Sequence, residues 1–575
     1  MYGSLIRNLE TIRYPGITSG SEDIIGLATD LAKVTSIFFY KRQLSTLWVT
    51  ILGGTGTGKS TLFNALCGQS ISQTGMERPK TQGPIAFVHH KVPIEKEFPI
   101  GKMQIERHPV ESNRSEPTDG TSGCLTILEH DRADWDHLVL VDSPDIDSIE
   151  ALNREISRDL YLLSDAVIFV ASQEKYADEV PLQLFKQVAE NKKPYFILLN
   201  KIQDRRAQKE FEIIAKNMGI SIRTDRIWII DYNTRHSPKE IAEQTGYLMF
   251  SETFWTVLSA SRHHTFRTAQ LNNRIRALEE QINHLHQFIE AERRACWDWQ
   301  KKLNRFYDQI SQALIQNESK RFTQRSRDYL RSEVGRLFIR HDVLAIPRKM
   351  IKQILLLPFS FLGFRKAATE SKHQEALRKF KERFDISSVE AAVEVFNRSV
   401  FENLSPQSKH SPLYRELRRP GVVLEQKEIQ KLTRQEQEHL TEWLQDTFQE
   451  LSQGLPRGTR WGIYSTSILW GILLLSLETA VGGGFTMLDA VLDAALAPFI
   501  TKGTVELFAY QEIQKITRDL SNRYRKMLLA ALQRQLEQYR RCLESLEPTQ
   551  DTFDSLSQLR ASISRFTTDN PSSNE

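Results

Sequence analysis

The sequence predicts an α/β domain with a mostly parallel sheet and helices on both faces, followed by a long-helix, stalk-like α-helical bundle. Three observations predict it. A buried strand, Trp48 to Leu52, enters a glycine-rich loop and then a helical stretch that stops at Gly68. Further apolar segments alternate with helical ones up to about residue 230. From about Thr265 the chain becomes charged, Gln-rich and helix-periodic.

Taken in order, residues 1–45 hold an amino-terminal helix, roughly Glu22 to Phe39, expected to pack into the base of the bundle. Residues 46–262 form the sheet domain. Its strands beyond the first are Ile85 to His89, Leu138 to Val141, Ala166 to Ala171, Tyr195 to Leu199 and Ile227 to Ile230. Helices are expected at Glu150 to Leu163 and Pro181 to Asn191. The stretch Glu111 to Gly123, rich in Ser, Thr, Gly and Pro, reads as a loop inserted between two antiparallel-type strands.

Residues 263–566 form the bundle. Leu271, Ile275, Leu278, Ile282, Leu285, Ile289, Cys296, Trp299, Leu303, Phe306 and Ile310 follow a 4,3 spacing, breached at Glu292. Such a stripe needs long partners, and the segments 370–404, 425–451 and 506–546 qualify. Breaks are signalled at Pro406, Pro412 and Pro420 and at Gly454 to Gly458. The tail 567–575 reads as disordered.

Composition narrows the function classes. With 575 residues, 40% of them hydrophobic, the chain can bury two or three cores. Its 76 basic and 72 acidic side chains leave a net +4, so bulk charge does not mark a nucleic-acid binder. Cys67, Cys124, Cys296 and Cys542 form no C-x-x-C pair, which argues against a structural zinc site and against a disulfide framework. Reduced thiols in the cytoplasm are the simplest reading. The start of the chain lacks the basic-then-apolar order of a secretory signal.

The loop after the first strand fits G-x-x-x-x-G-K-[ST]. Gly53, Gly54, Thr55, Gly56, Thr57 and Gly58 would turn backbone N–H groups toward phosphates. Lys59 adds a point charge, the Ser60 hydroxyl can ligate Mg²⁺, and Thr61 follows on the helix. Asp142, after Leu138 to Val141, stands where a second strand delivers an acid to the Mg²⁺ shell; Ser143, Pro144 and Asp145 follow. Asn200-Lys201-Ile202-Gln203-Asp204 is similar to the guanine-reading N-K-x-D with its acid displaced by one. Either Asp204 reaches in through an irregular loop or Gln203 does a weaker job. Arg78-Pro79-Lys80-Thr81 offers Thr81 to close the magnesium shell and sense the terminal phosphate. The candidate metal ligands are therefore Ser60, Thr81 and Asp142, and the candidate catalytic groups Lys59 and Thr81.

These motifs together resemble a dynamin-superfamily large GTPase of bacterial type. The resemblance covers about the first 235 residues. It implies GTP and GDP as ligands with Mg²⁺, GTP hydrolysis coupled to helical-stalk movement, self-assembly through the GTPase heads or stalk, and often membrane remodelling. Three positions depart from it: Asp145 replaces a glycine, Thr55 stands where dynamins place a glutamine, and Gly56 where potassium-stimulated enzymes carry an asparagine. Slow hydrolysis is expected, because phosphoryl transfer depends on positioned groups worth about 10³-fold or more.

Two apolar segments are candidates for a membrane tip, at 354–364 and 461–500. The first, between Arg348, Lys349 and Lys352 and the cations Arg365 and Lys366, is suited to an anionic lipid surface. The second is short for a span of about 20 residues and carries Asp489 and Asp493, so a hairpin or a buried pair fits better. The expected location is the cytoplasm, peripheral at the inner face of the membrane. Each segment can equally be core. A soluble switch whose helical body binds a protein or ribonucleoprotein partner is the alternative, and a nucleotide-binding scaffold that hardly hydrolyses is a third. The cations from Lys320 to Arg340 are interspersed with acids and read as a solvated helix face, so nucleic acid is not the expected partner.

Overall fold

The computed structural model describes residues 2–74, 83–109, 117–148, 150–174, 179–191, 193–204, 206–220, 222–232, 238–340, 386–453 and 504–568. The chain divides into two units, one of Met1–Ile12, Asp23–Gln287 and Thr549–Glu575, the other of Arg13–Glu22 and Phe288–Pro548.

In chain order the helices and strands are α1 (Tyr2–Glu10), α2 (Ile24–Gln43), β1 (Leu47–Gly53), α3 (Lys59–Cys67), β2 (Ile85–His89), β3 (Gln104–Pro109), β4 (Cys124–His130), β5 (Leu138–Asp142), α4 (Ala151–Leu163), β6 (Ala166–Ser172), α5 (Glu179–Glu190), β7 (Tyr195–Ile202), α6 (Arg206–Asn217), β8 (Ile227–Asp231), α7 (Pro238–Ala242), α8 (Thr245–Val257) and α9 (His263–Arg340). They continue with α10 (Ser387–Asn403), α11 (Pro412–Leu417), α12 (Gln426–Gln453), α13 (Thr504–Glu544) and α14 (Gln550–Thr568).

The first unit is built on an eight-stranded sheet of order β3-β4-β2-β5-β1-β6-β7-β8. Only β2 and β5 pair antiparallel among the described strands; the rest are parallel. A parallel sheet is covered on both faces, which is why β1, β2, β5 and β6 are buried along their whole length. Alternate residues of β1 feed opposite cores. Leu47, Val49 and Ile51 meet Phe63 of α3 and Phe250 and Phe254 of α8, whereas Trp48 meets Ile37 and Tyr40 of α2.

One expectation is corrected here. The strands flanking the loop after Pro109 are β3 and β4, and they run parallel in register from Gln104–Cys124 to Pro109–Glu129, not antiparallel. The amino-terminal helix belongs to the sheet unit: Ile37, Tyr40 and Leu44 complete the core under Trp48, Val139 and Val141, so its apolar face is covered there. A further helix, α14, joins the same unit, with Phe553 against His286 of α9 and Ser564 donating to Glu279.

Buried charges tie helices to this sheet. Asp165, just before β6, accepts from Lys41 of α2, from the Trp48 N–H and from Arg274 of α9. Burial pulls Lys41 down to about 8, so the ammonium is still charged at neutral pH, and Asp165, although buried, is held below the usual carboxylate range by Lys41 and Arg274. Arg274 also donates to the carbonyls of Leu162 (2.8 Å), Leu163 (3.0 Å) and Ser164 (2.7 Å), capping the orphan end of α4.

The second unit is helical. Its core joins Trp299 and Leu303 of α9, Val393 and Phe396 of α10, Leu440 and Leu444 of α12, and Leu528, Leu532 and Tyr539 of α13. These helices come from the three segments expected to face the stripe. The breach in that stripe has a cause. Glu292 is fully buried, and its carboxylate accepts the N–H groups of Gly16 (2.7 Å), Ile17 (3.0 Å) and Thr18 (2.7 Å) and the Thr18 hydroxyl (2.5 Å). An acid on an apolar seam is tolerated because four donors replace its water. Gly16 has φ 76° and faces Ser411 and Pro412 so closely that a side chain would clash.

The segments 354–364 and 461–500 and the tail 569–575 lie outside the described residues. Among the described residues no helix is long and apolar enough to cross a membrane.

Candidate functional site

The site lies at the carboxyl ends of the parallel strands, where open α/β sheets bind ligands. β1 delivers Gly53 and the loop to Gly58, and α3 starts at Lys59. Gly56 and Gly58 have φ of 74° and 97°, backbone that favours glycine. A Cβ on Gly58 would also overlap the Asn200 amide, and one on Gly53 the Val170 carbonyl, so the cradle has no room for side chains at either place.

At the phosphate end, Lys59 is 4% exposed. Its ammonium donates to the Gly54 carbonyl at 3.0 Å and pairs with Asp145. Asp147 Oδ1 accepts both the N–H and the hydroxyl of Thr55, each at 2.6 Å. Asp145, expected among the nucleotide contacts, is thus placed on the lysine itself.

Asp142 is fully buried. Its Oδ2 accepts the Ser72 hydroxyl at 2.9 Å, and Ser60 bonds the same carboxylate. Ser72 is set by Asn64 of α3, whose amide accepts from the Ile71 and Ser72 N–H groups and donates to the Ser72 carbonyl. Burial pushes Asp142 up to about 6, against the hydrogen bonds from Ser60 and Ser72 and the charge of Lys59. Its Oδ1 is buried without a hydrogen-bond partner. A hydroxyl, a carboxylate and an unspent buried oxygen are the donor set of a hard cation that keeps its waters, so the residues present fit Mg²⁺. Thr81 lies outside the described residues, and Thr61 sits on the first turn of α3.

At the base end, Asn200 donates to the Thr57 carbonyl at 2.8 Å and Lys201 to the Gly56 carbonyl at 2.9 Å, binding this loop to the cradle. Lys201 has φ 60°, unusual outside glycine. The ladder shows why. Leu199 pairs with Ile229 and Ile202 with Asp231, three steps on β7 against two on β8, which is a one-residue bulge. Beyond it, the Gln173 side-chain oxygen accepts the N–H groups of Gln203 (2.8 Å) and Asp204 (3.4 Å). Asp204 Oδ1 accepts the Arg206 N–H at 2.9 Å, capping α6, while over half of its side chain is exposed.

The structure therefore brings together Gly53 to Ser60, Asp142, Asp145, Asn200 and Lys201. Asn64, Ser72, Asp147 and Gln173 were not found from the sequence. Each acts through one to three hydrogen bonds and carries no motif of its own; the second acid two residues after Asp145 was the single available sign.

A strand, phosphate loop and helix joined to an acid on the neighbouring strand and an Asn-Lys pair define a P-loop domain of the GTPase type. Residues 49–202 match the model of the Dynamin family, in line with the motifs of the sheet domain. A protein of Caldicellulosiruptor sp. (strain Rt8B.4), described only as an uncharacterized protein in the xynA 3′ region, is 26% identical over 189 residues, 30% of this chain. The chain spans 44% of that relative's length. Two solved structures of an oligomerised bacterial dynamin pair, described in terms of the long-range sensing and tethering of membranes, are 14% and 13% identical. Each alignment covers 98% of this chain and 82% of the other, with TM-scores of 0.29 and 0.28, too low to compare architectures.

Proposed function

We propose that this chain binds GTP and GDP with Mg²⁺ in the loop Gly53 to Ser60 and hydrolyses GTP slowly. The observation that carries the guanine reading is the bulge in β7. It inserts one residue between Leu199 and Ile202, on the strand that carries Asn200 and Lys201, which supports the reading that Asp204 serves for an acid one residue earlier. A carboxylate there accepts both the ring N–H and the amino group of guanine, whereas adenine offers the wrong pattern. Ser60 and Asp142 would hold the cation, Asp142 through water, and Mg²⁺ bound there would neutralise phosphate charge. Lys59 binds the phosphate oxygens, and Thr81 is the candidate to close the shell. Thr55 stands where dynamins place a glutamine, which supports a slow rate.

The finer reading is a dynamin-like protein whose nucleotide state moves helices, self-assembles and acts at an anionic membrane surface. It rests on the cation-flanked apolar segment 354–364 and on the segment 461–500. Co-sedimentation with anionic vesicles, against retention on RNA at matched salt, tests that part. A turnover per molecule that stays flat as protein concentration rises removes assembly-stimulated hydrolysis.

Thermal stabilisation by GTP, GDP and ATP with Mg²⁺ tests the core of the proposal. A ligand at 100 times its dissociation constant adds about 2.7 kcal/mol. Guanine-selective stabilisation is expected; equal or greater stabilisation by ATP overturns the guanine reading.

A further inference from the structure

The phosphate loop already holds anions. Lys59, almost wholly buried, pairs with the Asp145 carboxylate, and the Thr55 N–H is taken by Asp147 at 2.6 Å. Both acids lie on the six residues Asp142 to Asp147, and that run is fastened to the loop's own strand. The Ser143 hydroxyl donates to the Ile51 carbonyl at 2.7 Å and the Ile146 N–H to the Gly53 carbonyl at 3.4 Å. A carboxylate and a phosphate are both oxyanions that accept from N–H groups and pair with ammonium. They compete for the same donors. Neither can share a buried lysine with the other cheaply, because two like charges in a desolvated pocket repel.

We infer that Asp145 and Asp147 are an internal competitor for the nucleotide's phosphates, so that nucleotide enters only as this acidic segment leaves, and that the two acids set the affinity of the site. This rests only on the phosphate half of the function proposed above, not on how the base is read. A glycine at 145, as the resemblance implies, brings no carboxylate to Lys59; the aspartate here does. A self-bound state lowers apparent affinity by the fraction of molecules that are competent to bind. It also stabilises the empty protein by the same free energy, so the two effects are linked and opposite in sign.

The test compares wild type, Asp145→Asn, Asp147→Asn and the double variant, with fluorescently labelled GDP and with inorganic tripolyphosphate, which has no base. Removing a charged hydrogen bond of this kind is expected to lower the dissociation constant of both probes about tenfold in Asp145→Asn, with faster association and unchanged dissociation. Asp147→Asn is expected to act in the same direction by a smaller factor. The empty Asp145→Asn protein is expected to melt earlier than wild type, while the ligand-saturated proteins melt together. If folding suffers, Asp145→Gly gives the same comparison without a buried amide. Unchanged or weaker binding of both probes by Asp145→Asn overturns the inference, even where wild type binds guanine nucleotides well. Tripolyphosphate that tightens as expected, beside guanine nucleotides that bind no better than adenine ones, leaves this inference standing and removes the guanine reading instead. Absence of binding of either probe to every form removes both.

Discussion

The phosphate end and the base end of the site depart from their expected patterns in opposite ways. At the phosphate end the motif from Gly53 to Ser60 is intact, yet Lys59 and Thr55 are engaged by Asp145 and Asp147. At the base end the motif is irregular, yet Asn200 and Lys201 still bond the Thr57 and Gly56 carbonyls, and the strand carries a one-residue bulge. An intact pattern therefore does not mean available donors, and an irregular one can still be bonded to the cradle. What decides is where the ladder and the neighbouring segment place the side chains.

The largest expected effect breaks the phosphate end outright. Lys59→Ala should raise the dissociation constants of GTP and GDP about 1,000-fold, roughly 4 kcal/mol, by calorimetry, since a buried charge partner of the phosphates is lost. A loss smaller than tenfold would mean the lysine stays with its aspartate in the bound state.

The next sharpens the same end through pH. Asp142 has its carboxyl raised to about 6, so the folded protein binds more protons than the unfolded chain between pH 4 and 6, and stability falls as pH rises through that window. The contribution is about 3 kcal/mol, complete by pH 7. His130 acts the other way. Burial, with His89 and Arg132 beside it, lowers it to about 4, so its share of stability rises from pH 4 to 6.5. In denaturant melts without nucleotide, Asp142→Asn should therefore gain more stability with rising pH over this range than wild type does.

At the base end, Asp204→Asn should weaken GTP binding about 100-fold and gain xanthosine triphosphate, because an amide can donate to the xanthine carbonyl where the carboxylate only accepts. If Gln203 reads the base, that variant leaves GTP binding unchanged. Gln173→Ala should have the smallest effect, about fivefold, the order of one modest hydrogen bond. It should reduce the preference for GTP over ATP while leaving tripolyphosphate binding alone.

Legibility followed burial. Strands β1, β2 and β5 to β8 are runs of buried apolar residues, and each was readable as such. β3, Gln104–Pro109, is a largely polar edge strand, and β4, Cys124–His130, is buried but follows a loop whose polarity drew attention to itself. The direction of pairing cannot be read from either strand, since it depends on the crossover between them. The glycines, Lys59, Ser60, Asp142, Asn200 and Lys201 were readable from spacing. The displaced acid at Asp204 was visible too, but the bulge that precedes it lies in the register between β7 and β8. Glu292 showed as a fault in an apolar stripe; its purpose depends on backbone from residues 16–18, far away in the sequence.

Helix α4 connects these matters in a mechanical way. Three carbonyls at its carboxyl end are held by Arg274, and Lys33 of α2 grips Asp159 near that end at 2.5 Å. Its other end follows the segment that carries Asp145 and Asp147, and Ser157, halfway along the helix, donates to the Pro144 carbonyl at 2.9 Å. A rod of 13 residues, about 20 Å long, is thus pinned at its carboxyl end and bonded at its middle to the acidic segment. A shift of about 2 Å at the loop becomes a tilt of about 6° over that length. Were the acidic segment to move as inferred above, the helix held by Arg274 would tilt about that end, and removal of the arginine would leave it free to slide.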